Sequence, residues 1–342
     1  MTPQNGARHR PGRTLIVLAC VVVLLFLVHV GIGTHEWYTP WKILGEIFRG
    51  PGGEEASVVV WQNRLPRACM CFFVGAILGV VGSAFQAQFR NPLADPFIVG
   101  VSSGSAIGGV VALLVGIGAW MGGLGTALFG FVGGMLSLAL VLALARRRGV
   151  IDVTSLLLAG VVLGSFLSSV LTLTLLLAGK DTNRVLTWLS GSLSESFWSK
   201  VYLLAAAFAA GTVILVRQSR LLNALALGEE EAARLGVDPV RLRNIVLTTG
   251  TAMTAAAVGS VGIIGFVGLV SAHISRRLIG VDWRWSLTGA GLVGAGLLLA
   301  SDLIAQRALS VLTQTIGFDV PVGIVTAILG APVLLVLLRR KP

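Results

Sequence analysis

The sequence predicts an all-α polytopic membrane protein with about ten transmembrane helices, on three observations. Of 342 residues, 55% are hydrophobic and 12% charged, about half the roughly 25% charged content of an ordinary soluble domain. Successive apolar runs approach the ~20 residues that a lipid-spanning helix needs. The 26 Lys and Arg residues, set against 15 Asp and Glu for a net charge of +11, gather in short clusters between alternate runs. That is the positive-inside pattern of cytoplasmic loops, not the basic face of a nucleic-acid binder. Backbone groups in hydrocarbon must bond within their own segment, which favours helices, and the alternation of a barrel is absent.

The first span, 15–34, follows Arg8, Arg10 and Arg13 in a short tail, 1–14. Its apolar run from Leu15 to Ile32 exceeds the ~7–15 residues of a secretory h-region and no A-x-A site follows it, so it is expected to be a retained helix. Thr39–Arg49 mixes Trp41, Ile43, Leu44, Ile47 and Phe48 with charges and reads as an interfacial helix. The second span, 65–89, opens on Pro66, which suits a first helical turn. It stops before the Asn91-Pro92 turn, with Gln86, Gln88 and Arg90 polar near its end. Spans 98–117, 124–145 and 154–178 come next. Glycine pairs at i,i+4 mark close helix approach within the chain: Gly75/Gly79, Gly104/Gly108, Gly130/Gly134 and Gly160/Gly164. Asn183–Leu193 is a second short amphipathic segment, before span 200–217.

Leu221–Gly236 is polar and lies between two spans. Gly228 can stop one short helix, and Glu229, Glu230 and Glu231 suit the N-terminus of the next, where the macrodipole favours acids. Ala232, Ala233 and Leu235 then offer a small-residue face for a partner's groove. Spans 243–263 and 264–280 are separated within a Gly-rich stretch, 259–268, that should break the helix. Span 285–306 carries Asp302 and Gln306, with Arg307 just beyond, and span 322–338 precedes a basic tail, 339–342. Ionisable groups at membrane depth are functional candidates by default. Ten spans put Arg8–Arg13, Arg146–Arg148, the arginines around 217–243, Arg276/Arg277/Arg284 and Arg339–Lys341 on one side, with both termini cytoplasmic. Trp37, Trp41, Trp188 and Trp198 fall in the opposite loops as an aromatic belt.

Enzymatic chemistry has no foothold in these residues. No GxxxxGK[ST] loop exists, since Gly179-Lys180 lacks the upstream glycine, and HExxH is absent. Cys20, Cys69 and Cys71 lie in apolar spans without zinc spacing, and His273 has no second ligand at i±3 or i±4. No catalytic or metal site is expected.

The stretches RLPRACMCFFVGAILGVVGSAFQAQFRNPLADPFIVGVSSGSAIG (64–108), LLLAGVVLGSF (156–166), WLSGSL (188–193), LNALALGEEEAARLGV (222–237), GFVGLVSAHISRRLIG (265–280) and DVPVGIVTAILGAPVLLVLL (319–338) together resemble the permease subunits of bacterial type II ABC importers. Those proteins import ferric siderophores, heme and vitamin B12. The resemblance implies a homodimer in the cell inner membrane, two ATPase subunits carrying ATP and Mg on the cytoplasmic side, and a periplasmic or lipid-anchored substrate-binding protein outside. No cofactor is implied in this chain. Leu227, Gly228, Glu229, Glu230, Ala232, Ala233, Leu235 and Gly236 match the segment that seats in the ATPase. Arg64 and Arg67 match the outward arginines that meet acids of the binding protein, and Arg307 joins them. Val153 and Thr154 match the cytoplasmic gate, and Trp188, Leu189, Gly191 and Ser192 the short helix at the periplasmic mouth. The cargo implied is a bulky metal chelate, ferric siderophore or heme ahead of cobalamin. Two departures stand out. Ala272-His273 replaces the family's Pro-His, and the 311–319 loop is longer than usual. The rival reading is a secondary transporter driven by an ion gradient, which would want buried carboxylates or inverted repeats; Asp302 is its one obvious candidate.

Overall fold

A computed structural model describes residues 11–32, 38–51, 55–147, 150, 151, 153–313 and 320–339. The 311–319 loop falls largely outside them, as do Trp37, Arg8, Arg10, Arg148 and the last three residues. Helix α1 covers Pro11–Gly31, beginning four residues before the predicted span, and α2 covers Pro40–Arg49 as a separate short helix. The next helix runs from Glu55 to Gln88 in three parts: α3 (Glu55–Val59), a π-helical stretch (Val60–Arg64) and α4 (Leu65–Gln88). Pro66 has no N–H for the carbonyl four residues back, and the widened turn immediately precedes it.

Then come α5 (Val101–Leu114), α6 (Trp120–Ala145), α7 (Val153–Leu177), α8 (Thr182–Leu189) and α9 (Trp198–Arg217). A two-residue antiparallel ladder, Arg146–Arg147 with Val150–Ile151, joins α6 to α7. The short α10 (Ser219–Leu225) and α11 (Glu229–Arg234) lead to α12 (Pro239–Val261), α13 (Val267–Ile279), α14 (Trp283–Thr313) and α15 (Val322–Arg339). Among the described residues, seven helices are long and apolar enough to cross a membrane. The shorter α5, α13 and α15 occupy the other three predicted places. The break between spans seven and eight is where the glycines put it: Gly262 lies at φ +81° and residues 262–266 are not helical.

Helix α4 is the hub, with nearly every residue after Cys71 buried. The glycine pairs explain how it is wrapped. A side chain at Gly75 or Gly79 would strike the backbone of Gly294 or Ala290 on α14, and one at Gly82 would strike Gly268 on α13. Gly104 and Gly108 meet Gly133 and Phe129 of α6, Gly130 meets Gly259 of α12, and Gly160 meets Ile98. Three of the predicted pairs, and Gly160 of the fourth, therefore serve packing within the chain, where absent side chains let neighbouring groups approach closely. Helix α7 stands apart, with Leu158, Val161, Val162, Phe166, Leu173, Leu176 and Leu177 exposed.

Candidate functional site

The two ends of α4 mark the two ends of the molecule. At its C-terminus Arg90 reaches the turn at Gly228. At its N-terminus are Arg64 and Arg67, and Trp198 at the start of α9 donates to the Trp61 carbonyl at 2.8 Å. With a rise of about 1.5 Å per residue, the 24-residue α4 separates these ends by roughly 36 Å.

The Gly228 end is a hairpin of two short helices. Gly228 adopts φ +121°, a conformation that side chains resist, and α11 starts at the next residue. Glu229 accepts a bond from Arg243 of α12, and Asp238 caps α12 through the Val240 and Arg241 amides. Asn223 ties the hairpin to α14: its amide donates to Asp282 at 2.8 Å, and its carbonyl oxygen accepts from the Trp283 amide at 3.0 Å. Bonds from Arg284, then Asn223, hold the Asp282 carboxyl down at about 2. The small-residue face predicted for α11 needs one correction. Ala232 is fully buried and packs in the main hydrophobic core. Leu227 and Leu235 are 67% and 64% exposed, with Ala233 and Gly236 also at the surface. Val153 and Thr154 form the first turn of α7, and that helix then runs toward α8 at the opposite end.

At the other end Arg67 is paired with an internal acid. Arg67 donates from Nε to Asp302 Oδ2 at 2.8 Å and from Nη2 to Oδ1 at 2.9 Å. Its side chain is 15% exposed and that of Asp302 1%. His29 of α1 (2.8 Å) and Gln306 (2.8 Å) also donate to Asp302 Oδ2. Burying a carboxylate demands such compensation, so Arg67 turns inward. Three helices, α1, α4 and α14, are thereby joined through one acid. Arg64 donates to the Val30 and Gly31 carbonyls at 3.3 and 3.1 Å and lies over the Tyr38 ring. Arg307 follows on the next position of α14, half-buried. His29 escaped the sequence reading, although a histidine inside an 18-residue apolar run is an intramembrane ionisable group of the same kind as Asp302.

Ligand atoms of His29, Cys71 and Asp302 lie within 4.8 Å of one another. Nevertheless, both carboxylate oxygens already accept N–H bonds, and the guanidinium would repel a divalent cation. The arrangement is an ion-paired hydrogen-bond cluster.

The mouth residues are stitched to the same end. Ser192 N–H donates to the Val261 carbonyl at 2.8 Å, Ile263 N–H to Leu189 O at 3.4 Å, and Gly323 N–H to Gly191 O at 3.2 Å. Segment 189–192 thus joins the α12–α13 break to the start of α15. Trp188 does not belong to an interfacial belt: it is 6% exposed, its ring filling the slot left by Gly109. Trp41 is 82% exposed.

Among the described residues, seven helices apolar and long enough to cross a membrane, with three shorter ones among them, a polar hairpin at one end and clustered arginines at the other describe a membrane-spanning transport subunit. The chain matches the FecCD transport family over residues 21–340 and belongs to it; these are permease subunits of type II ABC importers. It is 38% identical over 322 residues to the uncharacterised ABC transporter permease protein YvrB of Bacillus subtilis (strain 168), covering 91% of this chain and 90% of that one. It is 36% identical over 306 residues to the cobalamin import system permease protein BtuC of Halobacterium salinarum, covering 88% and 80%. The solved structure of a metal-chelate-type ABC transporter in an inward-facing conformation matches with a TM-score of 0.82 at 31% identity, covering 96% of this chain and all of that one.

Proposed function

We propose that this chain is the translocating subunit of an ATP-driven importer that carries a bulky metal chelate inward across the cell inner membrane. It works as a homodimer, with two ATPase subunits gripping Leu227–Gly236 from the cytoplasm and a substrate-binding protein delivering cargo to the Arg64, Arg67 and Arg307 end. Val153 and Thr154 close the path on the cytoplasmic side, and Leu189–Ser192 border its mouth. The cargo class rests on the names of similar proteins. Two of them are cobalamin or vitamin B12 permeases and one structure is of a metal-chelate transporter, so cobalamin stands beside ferric siderophore and heme.

The observation that carries the reading is the hairpin at Gly228, which presents Leu227 and Leu235 to solvent while anchoring itself to α12 and α14. Large apolar side chains held out on a rigid polar turn suit a partner's cleft. The sequence rival, a carrier driven by an ion gradient, is disfavoured by the match to the FecCD transport family and to ABC transporter permeases. Leu227→Asp and Leu235→Asp test the grip. Both side chains are mostly exposed, so folding should be nearly untouched, whereas co-purification of the co-expressed ATPase should fall at least about tenfold, the equivalent of ~1.4 kcal/mol. Undiminished co-purification would remove the hairpin from the interface.

A further inference from the structure

The Arg67 cluster contains a feature that simple docking does not require. A guanidinium whose task is to meet an external acid is already occupied by an internal one, in the bidentate geometry that makes arginine–carboxylate pairs strong. We propose that Asp302 is an internal competitor for Arg67, so that docking exchanges one carboxylate for another: an acid on the binding protein takes the guanidinium, and Asp302 falls back on His29 and Gln306. This rests on the docking reading given above.

Three observations support the exchange. The Arg67 side chain reaches the surface in part, 15% exposed where that of Asp302 is 1% exposed. The buried acid has reserves: His29 Nε2 and Gln306 Nε2 each stand 2.8 Å from Oδ2, so the carboxylate stays bonded after Arg67 turns away. Among the described residues, the polar groups bonded to it or beside it are His29 from α1, Arg67 and Cys71 from α4, and Gln306 from α14. Finally, the cluster joins three helices, so withdrawing Arg67 loosens α4 from α14 at one end only. An external event at the mouth thereby acquires a mechanical consequence inside the bundle. Such coupling needs an element with two arrangements that the ligand distinguishes, and a guanidinium shared between two acids is one.

The test uses the permease–ATPase complex in nanodiscs, with its binding protein titrated by surface plasmon resonance. Asp302→Asn frees Arg67 and should tighten binding about fivefold; in an Arg67→Gln background the same change should alter affinity less than twofold. Gln306→Lys supplies a rival cation to Asp302 without removing the buried acid. It should also tighten binding, and it covers the case in which Asp302→Asn fails to assemble. Unchanged or weaker binding in an assembled Asp302→Asn or Gln306→Lys complex overturns the exchange. Arg64→Glu and Arg307→Glu separate the two claims. If they weaken binding while Asp302→Asn does nothing, only the competition falls. If they too do nothing, the docking reading falls and takes the competition with it.

Discussion

Asp95 lies in the 91–96 turn after α4, outside the spans, with the Phe97 amide donating to its Oδ1 at 2.9 Å. Burial pushes its carboxyl up to about 6, partly opposed by that bond. The folded chain therefore holds this proton more tightly than the unfolded chain, whose aspartates titrate near about 4. Stability contributed by this group rises as pH falls through 6 toward 4, and is lost at higher pH. Asp95→Asn keeps the bond from Phe97 and removes the charge. It should melt higher than the parent at pH 8, with the gap closing between pH 7 and 5; a gap that does not vary with pH would refute the assignment. Single residues were the least legible part of this sequence. The role of Gly228 could be inferred because a helix stop followed by three acids has a local cause. The bond between Arg67 and Asp302 could not, since 235 positions separate them and only tertiary packing brings them together. Trp188 and Ala232 were misplaced for a related reason. Whether an apolar side chain on a short helix faces out or in depends on the slot opposite it, here Gly109 for Trp188.

Helices were far more legible, because their pattern is local. Ten apolar runs read from the sequence correspond to ten helices in order, and Thr39–Arg49 and Asn183–Leu193 contain the short α2 and most of α8. Ends were less so: α14 extends to Thr313, past the predicted 306, and α5 waits until Gly100 has turned at φ +74°. The glycine pairs allow a sharp contrast between elements. Gly79→Ala forces a methyl group into the Ala290 carbonyl of α14, and overpacking of this kind costs about 1–3 kcal/mol. At Gly164 the nearest atom to an added Cβ is Gly100 Cα at 4.0 Å, so Gly164→Ala should be neutral or gain roughly 0.5–1 kcal/mol from helix entropy. Thermal unfolding in detergent reads both, and equal behaviour would contradict the packing described. Asn223 offers an element-scale test of transmission. Asn223→Ala removes two hydrogen bonds between the hairpin and α14, each worth about 0.5–1.5 kcal/mol. ATPase attachment should persist while cargo moved per ATP falls; an unchanged ratio would show that α14 is driven from elsewhere.

At the scale of the whole molecule, two polar ends sit on opposite sides of an apolar bundle and are bridged by α4 and α14. Helix α14 is held by Asn223 near its start and by Arg67 and His29 near Asp302, 20 residues or about 30 Å along. A partner pulling on the hairpin and a partner docking near Arg67, as proposed, would therefore act on the same rod. Composition and the repeated apolar runs made this architecture readable in the sequence. Sidedness followed from basic clusters alone, and it is the premise on which the assignment of partners depends. Cysteine labelling decides it directly. With Cys20 and Cys69 replaced by serine and Cys71 left in the core, Leu227→Cys and Trp41→Cys each place one thiol at a well-exposed position, one at either end. A membrane-impermeant maleimide should modify Leu227→Cys only in inside-out vesicles and Trp41→Cys only in right-side-out vesicles. Modification of Leu227→Cys from the outside would put the hairpin beyond the reach of any cytoplasmic ATPase and contradict the account.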